Sequence, residues 1–121
     1  MTEAQLQNQI VIFYRNNYQM KGEGLIFSVA NESTYKNKVF KATGTLSGVS
    51  DLIVLLPNAR CLFIELKTET GIQSDKQKDF EKLVNNLGFE YYLVRSLELF
   101  KSIINNAFDV KAKVKLNKFV L

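Results

Sequence analysis

The sequence predicts an α/β sandwich with a mixed sheet, and three observations carry that expectation. Two intensely apolar runs, residues 52–56 and 62–66, are of strand length and apolar on both faces, so both faces of their sheet should be covered. Segments with helical apolar spacing open at Thr2, Ser74 and Ser96. A third strand-like run separates the last two, which makes the order helix, strand, hairpin, helix, strand, helix.

The 121 residues fit one domain, residues 1–121, with a single real core. A hydrophobic content of 46% and a charged content of 23% are those of a soluble globular chain. No apolar run approaches the ~20 residues of a membrane-spanning helix. Residues 1–5 lack the basic-then-apolar order of a signal peptide. The lone cysteine, Cys61, rules out an internal disulfide and reads as a small core residue. The expected setting is the cytoplasm, with no membrane partner and no small-molecule cofactor. The absence of histidine excludes histidine general bases, serine-protease-like triads and histidine-bound zinc. Catalysis, if present, must rest on carboxylates, lysine, tyrosine or a metal. A net charge of +4 leans mildly toward polyanions.

Residues 2–17 read as an amphipathic helix with Thr2 and Gln5 as a capping box and Leu6, Ile10 and Phe13 inward. Glu3 lies on that inward face. It either complements the positive end of its helix or reaches toward the end of the sheet. Gly22 and Gly24 mark a turn before a strand at 25–30. In the irregular stretch that follows, Lys36, Lys38 and Lys41 surround Tyr35 and Phe40. That mixture suits a loop that contacts phosphates and stacks on bases, or equally a solvated surface loop.

Residues 51–56 and 61–67 should pair as an antiparallel hairpin about the turn at 57–60. Ser74 caps a helix to about Leu87, with Phe80, Leu83, Val84 and Leu87 buried and Gly88 as its stop. Residues 89–94 form a third central strand. Ser96 caps the last helix, with Leu99, Phe100, Ile103, Ile104 and Ala107 inward. In the basic tail, residues 108–121, apolar residues alternate with Lys111, Lys113 and Lys115, which predicts a short edge strand. Its lysines either face DNA or keep an exposed edge from pairing with another chain.

Charges bracket the most apolar part of the chain. Asp51 opens one strand, and Glu65 and Lys67 close the next, side by side at i and i+2. The tight turn should bring all three together. Ionised groups among apolar neighbours cost several kcal/mol unless paired or metal-bound. Two carboxylates beside a lysine suit Mg²⁺ or Mn²⁺, which take oxygen ligands and keep several waters. The plainer alternative is an ion pair at a sheet edge. Gln77 completes a capping box with Ser74, which explains it without function, yet it also shares the inward face with Phe80 and Val84.

Asp51 followed by Glu65-Leu66-Lys67 resembles the PD-(D/E)xK nuclease core. Gly48-Val49-Ser50-Asp51-Leu52, Phe63-Ile64-Glu65-Leu66-Lys67, Gly71, Gln77 and Tyr92-Leu93-Val94-Arg95-Ser96 together resemble the VRR-NUC family. Members usually carry proline before the aspartate, where this chain has Ser50. The resemblance implies a restriction-endonuclease-like three-layer sandwich with helices flanking a mixed sheet. It implies a metal held by Asp51, Glu65 and the Leu66 backbone carbonyl, with Lys67 catalytic and Glu3 and Gln77 auxiliary. Stand-alone members of this size are similar to phage-type homodimers acting on branched DNA such as four-way junctions, in a prokaryotic or phage-infected cell. The competing reading is a non-catalytic nucleic-acid-binding module on the same fold, resting on Lys36, Lys38, Lys41, Lys111, Lys113 and Lys115. A small protein-interaction domain is the third.

Overall fold

The computed structural model describes the backbone of residues 1–30 and 44–120, with side chains up to Asp109. Helix α1, Glu3–Asn17, opens as its sequence requires. The Thr2 hydroxyl accepts from the Gln5 N–H at 3.1 Å, and the Gln5 side chain accepts from the Thr2 N–H at 2.8 Å. Two otherwise orphaned donors are thereby satisfied. Leu6, Ile10 and Tyr14 are the residues it buries. A 3-10 turn, Gln19–Lys21, leads into strand β1, Leu25–Ser28.

Strands β2, Leu52–Leu56, and β3, Arg60–Leu66, form the expected antiparallel hairpin, with Leu52 opposite Ile64 and Leu56 opposite Arg60. Helix α2, Asp75–Asn86, then carries the chain to β4, Glu90–Val94, which pairs parallel with β3. A parallel neighbour needs such a crossover. Helix α3, Leu97–Val120, follows. The sheet order is β1-β2-β3-β4, so the architecture is a mixed α/β one, consistent with a restriction-endonuclease-like fold. Strand β4 lies at the edge of this sheet rather than in its centre.

One face of the sheet is dry. Ile26, Leu52, Val54, Leu62, Ile64 and Leu66 are fully buried there against Leu6, Ile10, Tyr14, Phe100 and Ile104 of α1 and α3. The other face carries a smaller cluster, Phe80, Val84 and Tyr91, with Val49 and Phe63 against it. Expectation fails here in part. Leu25 and Phe27 of β1 and Leu55 of β2 are about two-fifths exposed, so the β1–β2 half of the sheet is only partly covered on this face. A helix about 10 Å wide spans roughly two strands spaced ~4.8 Å apart, and α2 lies over the β3–β4 half. For the same reason its buried stripe narrows to Phe80 and Val84, while Leu83 and Leu87 are exposed. Leu99 is also exposed, although Phe100, Ile103, Ile104 and Ala107 face inward as expected.

The tail is the larger correction. Instead of an edge strand, α3 continues through it to Val120. No glycine or proline interrupts residues 97–120. Extending a formed helix gains one hydrogen bond per residue, whereas a new strand needs a partner edge. The period-two argument for a lysine row at 111, 113 and 115 falls with the strand. Lys36, Lys38 and Lys41 lie outside the described residues. Among the described residues, no helix is long and apolar enough to cross a membrane.

Candidate active site

The hairpin register builds the site. One residue beyond the Leu52–Ile64 pair, the same register sets Asp51 against Glu65. Directly opposed residues project to one face, so both carboxyls emerge on the α2 side. The Asp51 carboxylate accepts the Leu66 N–H at 2.7 Å and so occupies the place of a backbone partner at the end of the ladder. Lys67 extends β3 by donating its N–H to the Val94 carbonyl at 3.1 Å. Its ammonium stands 3.7 Å from Glu65 Oε2.

Glu65 is only 1% exposed. Its Oε2 accepts from Gln77 Nε2 at 3.0 Å, while its Oε1 is buried without a hydrogen-bond donor. Burial, foremost, and then the neighbouring Asp51 carboxyl push the Glu65 acid up to about 9; Lys67 offsets this in part and Glu3 adds a minor increment. Two carboxylates close enough to share a proton, one with an unsatisfied buried oxygen, form a site short of positive charge. Hard oxygen donors suit Mg²⁺ or Mn²⁺. Among the described residues no three acidic or cysteine side chains group into a metal site unaided. A divalent ion here therefore needs a backbone oxygen such as that of Leu66, and waters. That is the ordinary habit of Mg²⁺. The residues fit such an ion.

Gln77 serves two roles at once. Its Oε1 accepts the Ser74 N–H at 2.9 Å, which completes the capping box of α2, and its Nε2 turns to Glu65. Gly48 makes that placement possible. It sits at φ +81°, and a Cβ there would meet the Lys76 carbonyl oxygen at 2.2 Å. Only glycine lets the first turn of α2 lie directly on the segment leading to Asp51. Glu3 is exposed in the first turn of α1, near enough to raise the Glu65 pKa but in no hydrogen bond with the site. Met1, Thr2, Lys67, Thr68 and Arg95 help line an adjacent pocket of about 390 Å³.

A sequence model of the VRR-NUC domain matches residues 3–98. The chain belongs to the VRR-NUC family. Two solved structures share the fold. One, called a VRR_NUC domain protein, is 19% identical with a TM-score of 0.70 and covers 87% of this chain and 86% of its own. The other, called a VRR_NUC domain, is 20% identical with a TM-score of 0.60, over 87% of this chain and 97% of its own. No curated protein matches. The chain is thus a nuclease-type domain.

Relative to the proline usual in VRR-NUC members, Ser50 is accommodated without an orphaned group. It is buried, and its hydroxyl donates to the Leu52 carbonyl at 3.2 Å. Sequence reasoning missed a polar cluster beside the carboxylates. Gln73 Nε2 donates to Glu81 Oε1 at 3.0 Å and to the Tyr91 hydroxyl at 3.2 Å. Burial raises the Tyr91 pKa, and the charges of Glu65, Glu81 and Asp51 raise it further. One signal could have found Tyr91. It lies two residues before Leu93, the partner of Glu65 in β3, and therefore on the same face.

Proposed function

We propose that this chain is a divalent-metal-dependent DNA endonuclease that hydrolyses phosphodiester bonds, acting on branched DNA as a homodimer. The observation that carries the catalytic part is the opposition of Asp51 and Glu65, with a donorless buried oxygen and Lys67 alongside. Asp51, Glu65 and the Leu66 carbonyl would hold Mg²⁺ or Mn²⁺. When bound, the ion supplies a more acidic water and charge neutralisation at a phosphoryl oxygen. Lys67 has its ammonium beside Glu65, where it orients the attacking water and stabilises charge developing on the phosphate. Gln77 holds Glu65 Oε2 in one orientation. Glu3, at the rim, holds solvent near the site. Lys36, Lys38, Lys41, Lys111, Lys113 and Lys115 supply candidate backbone contacts to DNA. Selectivity for branched substrates and the homodimer rest on the likeness to stand-alone phage-type members.

The test is cleavage of labelled four-way junction, flap, duplex and single-stranded DNA with Mg²⁺ or Mn²⁺. We expect junction cleavage that disappears on chelation. Asp51→Ala and Lys67→Ala should each lower kcat at least ~100-fold. Cleavage that survives both substitutions overturns the assignment. Salt-dependent binding without cleavage would leave the chain a binding module. Light scattering at working concentration checks the dimer.

A further inference from the structure

The loop after Lys67 is held by one side chain, that of the residue that follows β4. Arg95 Nη1 donates to the Thr68 carbonyl at 2.6 Å and to the Gly71 carbonyl at 2.7 Å, with a longer shared contact to the Glu69 carbonyl at 3.3 Å. Three backbone oxygens of one short loop thus converge on a single guanidinium nitrogen. Within the loop, the one backbone bond that closes it is Gly71 N–H to the Thr68 carbonyl, at 3.3 Å. The clamp is therefore its main tie.

Arg95 itself is well fixed at its backbone. The residue before it, Val94, accepts the Lys67 N–H at 3.1 Å. The residue after it, Ser96, accepts the Leu99 N–H at 3.1 Å and caps α3. What the clamp holds in place matters for chemistry. A methyl added to Gly71 would stand 3.5 Å from Lys67 Cδ, so the loop packs along the aliphatic stem of that lysine. The other end of the loop leads to Ser74 and Gln77. One guanidinium therefore fixes the wall beside Lys67, one of the two polar groups that hold Glu65.

We propose that Arg95 is a positioning residue for Lys67, tying the 68–71 loop against the lysine stem so that its ammonium stays beside Glu65. The inference rests on the nuclease reading for its catalytic consequence, but the clamp itself does not. A planar guanidinium with several donors suits a cluster of carbonyls, and an ammonium matches it only in part.

The test compares wild type with Arg95→Ala and Arg95→Lys in the full chain. Steady-state cleavage of junction DNA in Mn²⁺ is measured as a function of salt, with amide hydrogen exchange on the same samples. In Arg95→Ala we expect kcat to fall about ten- to a hundredfold, as misplacement of a reacting group does. KM and the salt dependence should stay near wild type. Exchange should quicken across 68–73 and remain unchanged in α1. Arg95→Lys should recover part of the lost kcat. A raised KM with a salt slope reduced by about one would instead make Arg95 a phosphate contact and overturn the proposal. Faster loop exchange with kcat unaltered overturns it too, because the clamp would then be structural only. If wild type cuts no DNA, the nuclease reading fails, and unaltered exchange in Arg95→Ala separately refutes the clamp.

Discussion

The two faces of the sheet are built from the same strands and behave as different materials. On the α1–α3 face, Leu62, Ile64 and Leu66 of β3 are fully buried among aliphatic and aromatic neighbours. On the α2 face the alternating residues of that strand are Cys61, Phe63 and Glu65, the last tied to Gln77, Lys67 and Asp51. A helix pair seals the first face. Among the described residues a single helix half-covers the second, which leaves room for charge. The contrast assigns stability to one side and chemistry to the other, within a one-residue step along β3.

The largest effect should come from breaking the dry face. Ile64→Ala is expected to cost about 2–5 kcal/mol by chemical denaturation. Its neighbour Glu65→Gln should leave the metal-free protein as stable as wild type or more so, because it removes the acid that resists ionisation. An equal loss from the two would erase the distinction between faces. Next in size is the seat of α2. Gly48→Ala forces a side chain into left-handed backbone against the Lys76 carbonyl and should cost about 1–3 kcal/mol. Hydrogen exchange should loosen the first turn of α2 and spare α1.

The pH dependence sharpens the same contrast. Glu65 titrates near 9 in the folded chain, well above its ordinary value of 4.5. The folded state therefore holds a proton that the unfolded state has released across that interval, so metal-free stability falls as pH rises from about 4.5 to about 9. Melting temperature in chelator should drop through this window, and Glu65→Gln should flatten the curve. Added Mn²⁺ should reverse the trend, since it favours the ionised pair. The smallest effect separates the two roles of Gln77. Gln77→Glu keeps an acceptor for the Ser74 N–H, so the cap, worth about 1 kcal/mol, survives. It replaces the donor to Glu65 with a second acceptor, so cleavage should fall by about tenfold, a loss worth ~1.4 kcal/mol. Paired melting and cleavage assays read the two separately.

Much of the site was legible in the chain because it depends on short-range rules. Period two places Glu65 and Lys67 together, a tight turn returns β3 beside Asp51, and Ser74 with Gln77 marks a helix start. The misreadings share a cause. Leu83, Leu87 and Leu99 fit helical stripes whose width is set by what covers them, and the alternation at 110–116 carries no information about whether an edge is free to receive it. Arg95 and Gly48 were visible only as parts of a motif. Their partners, the 68–71 carbonyls and the Lys76 carbonyl, are distant in sequence.

By itself the sequence determined the types of the described helices and strands apart from the tail, the hairpin, the caps of the three described helices, and the identity of the charged trio, because each follows from local periodicity and side-chain chemistry. Tertiary structure alone decided which face stays dry and how far α3 runs. It also decided that Glu65 keeps one oxygen without a donor and that Arg95 reaches the loop beyond Lys67. Those outcomes depend on how many helices share a sheet face and on which backbone groups meet across the fold, quantities that no local pattern encodes.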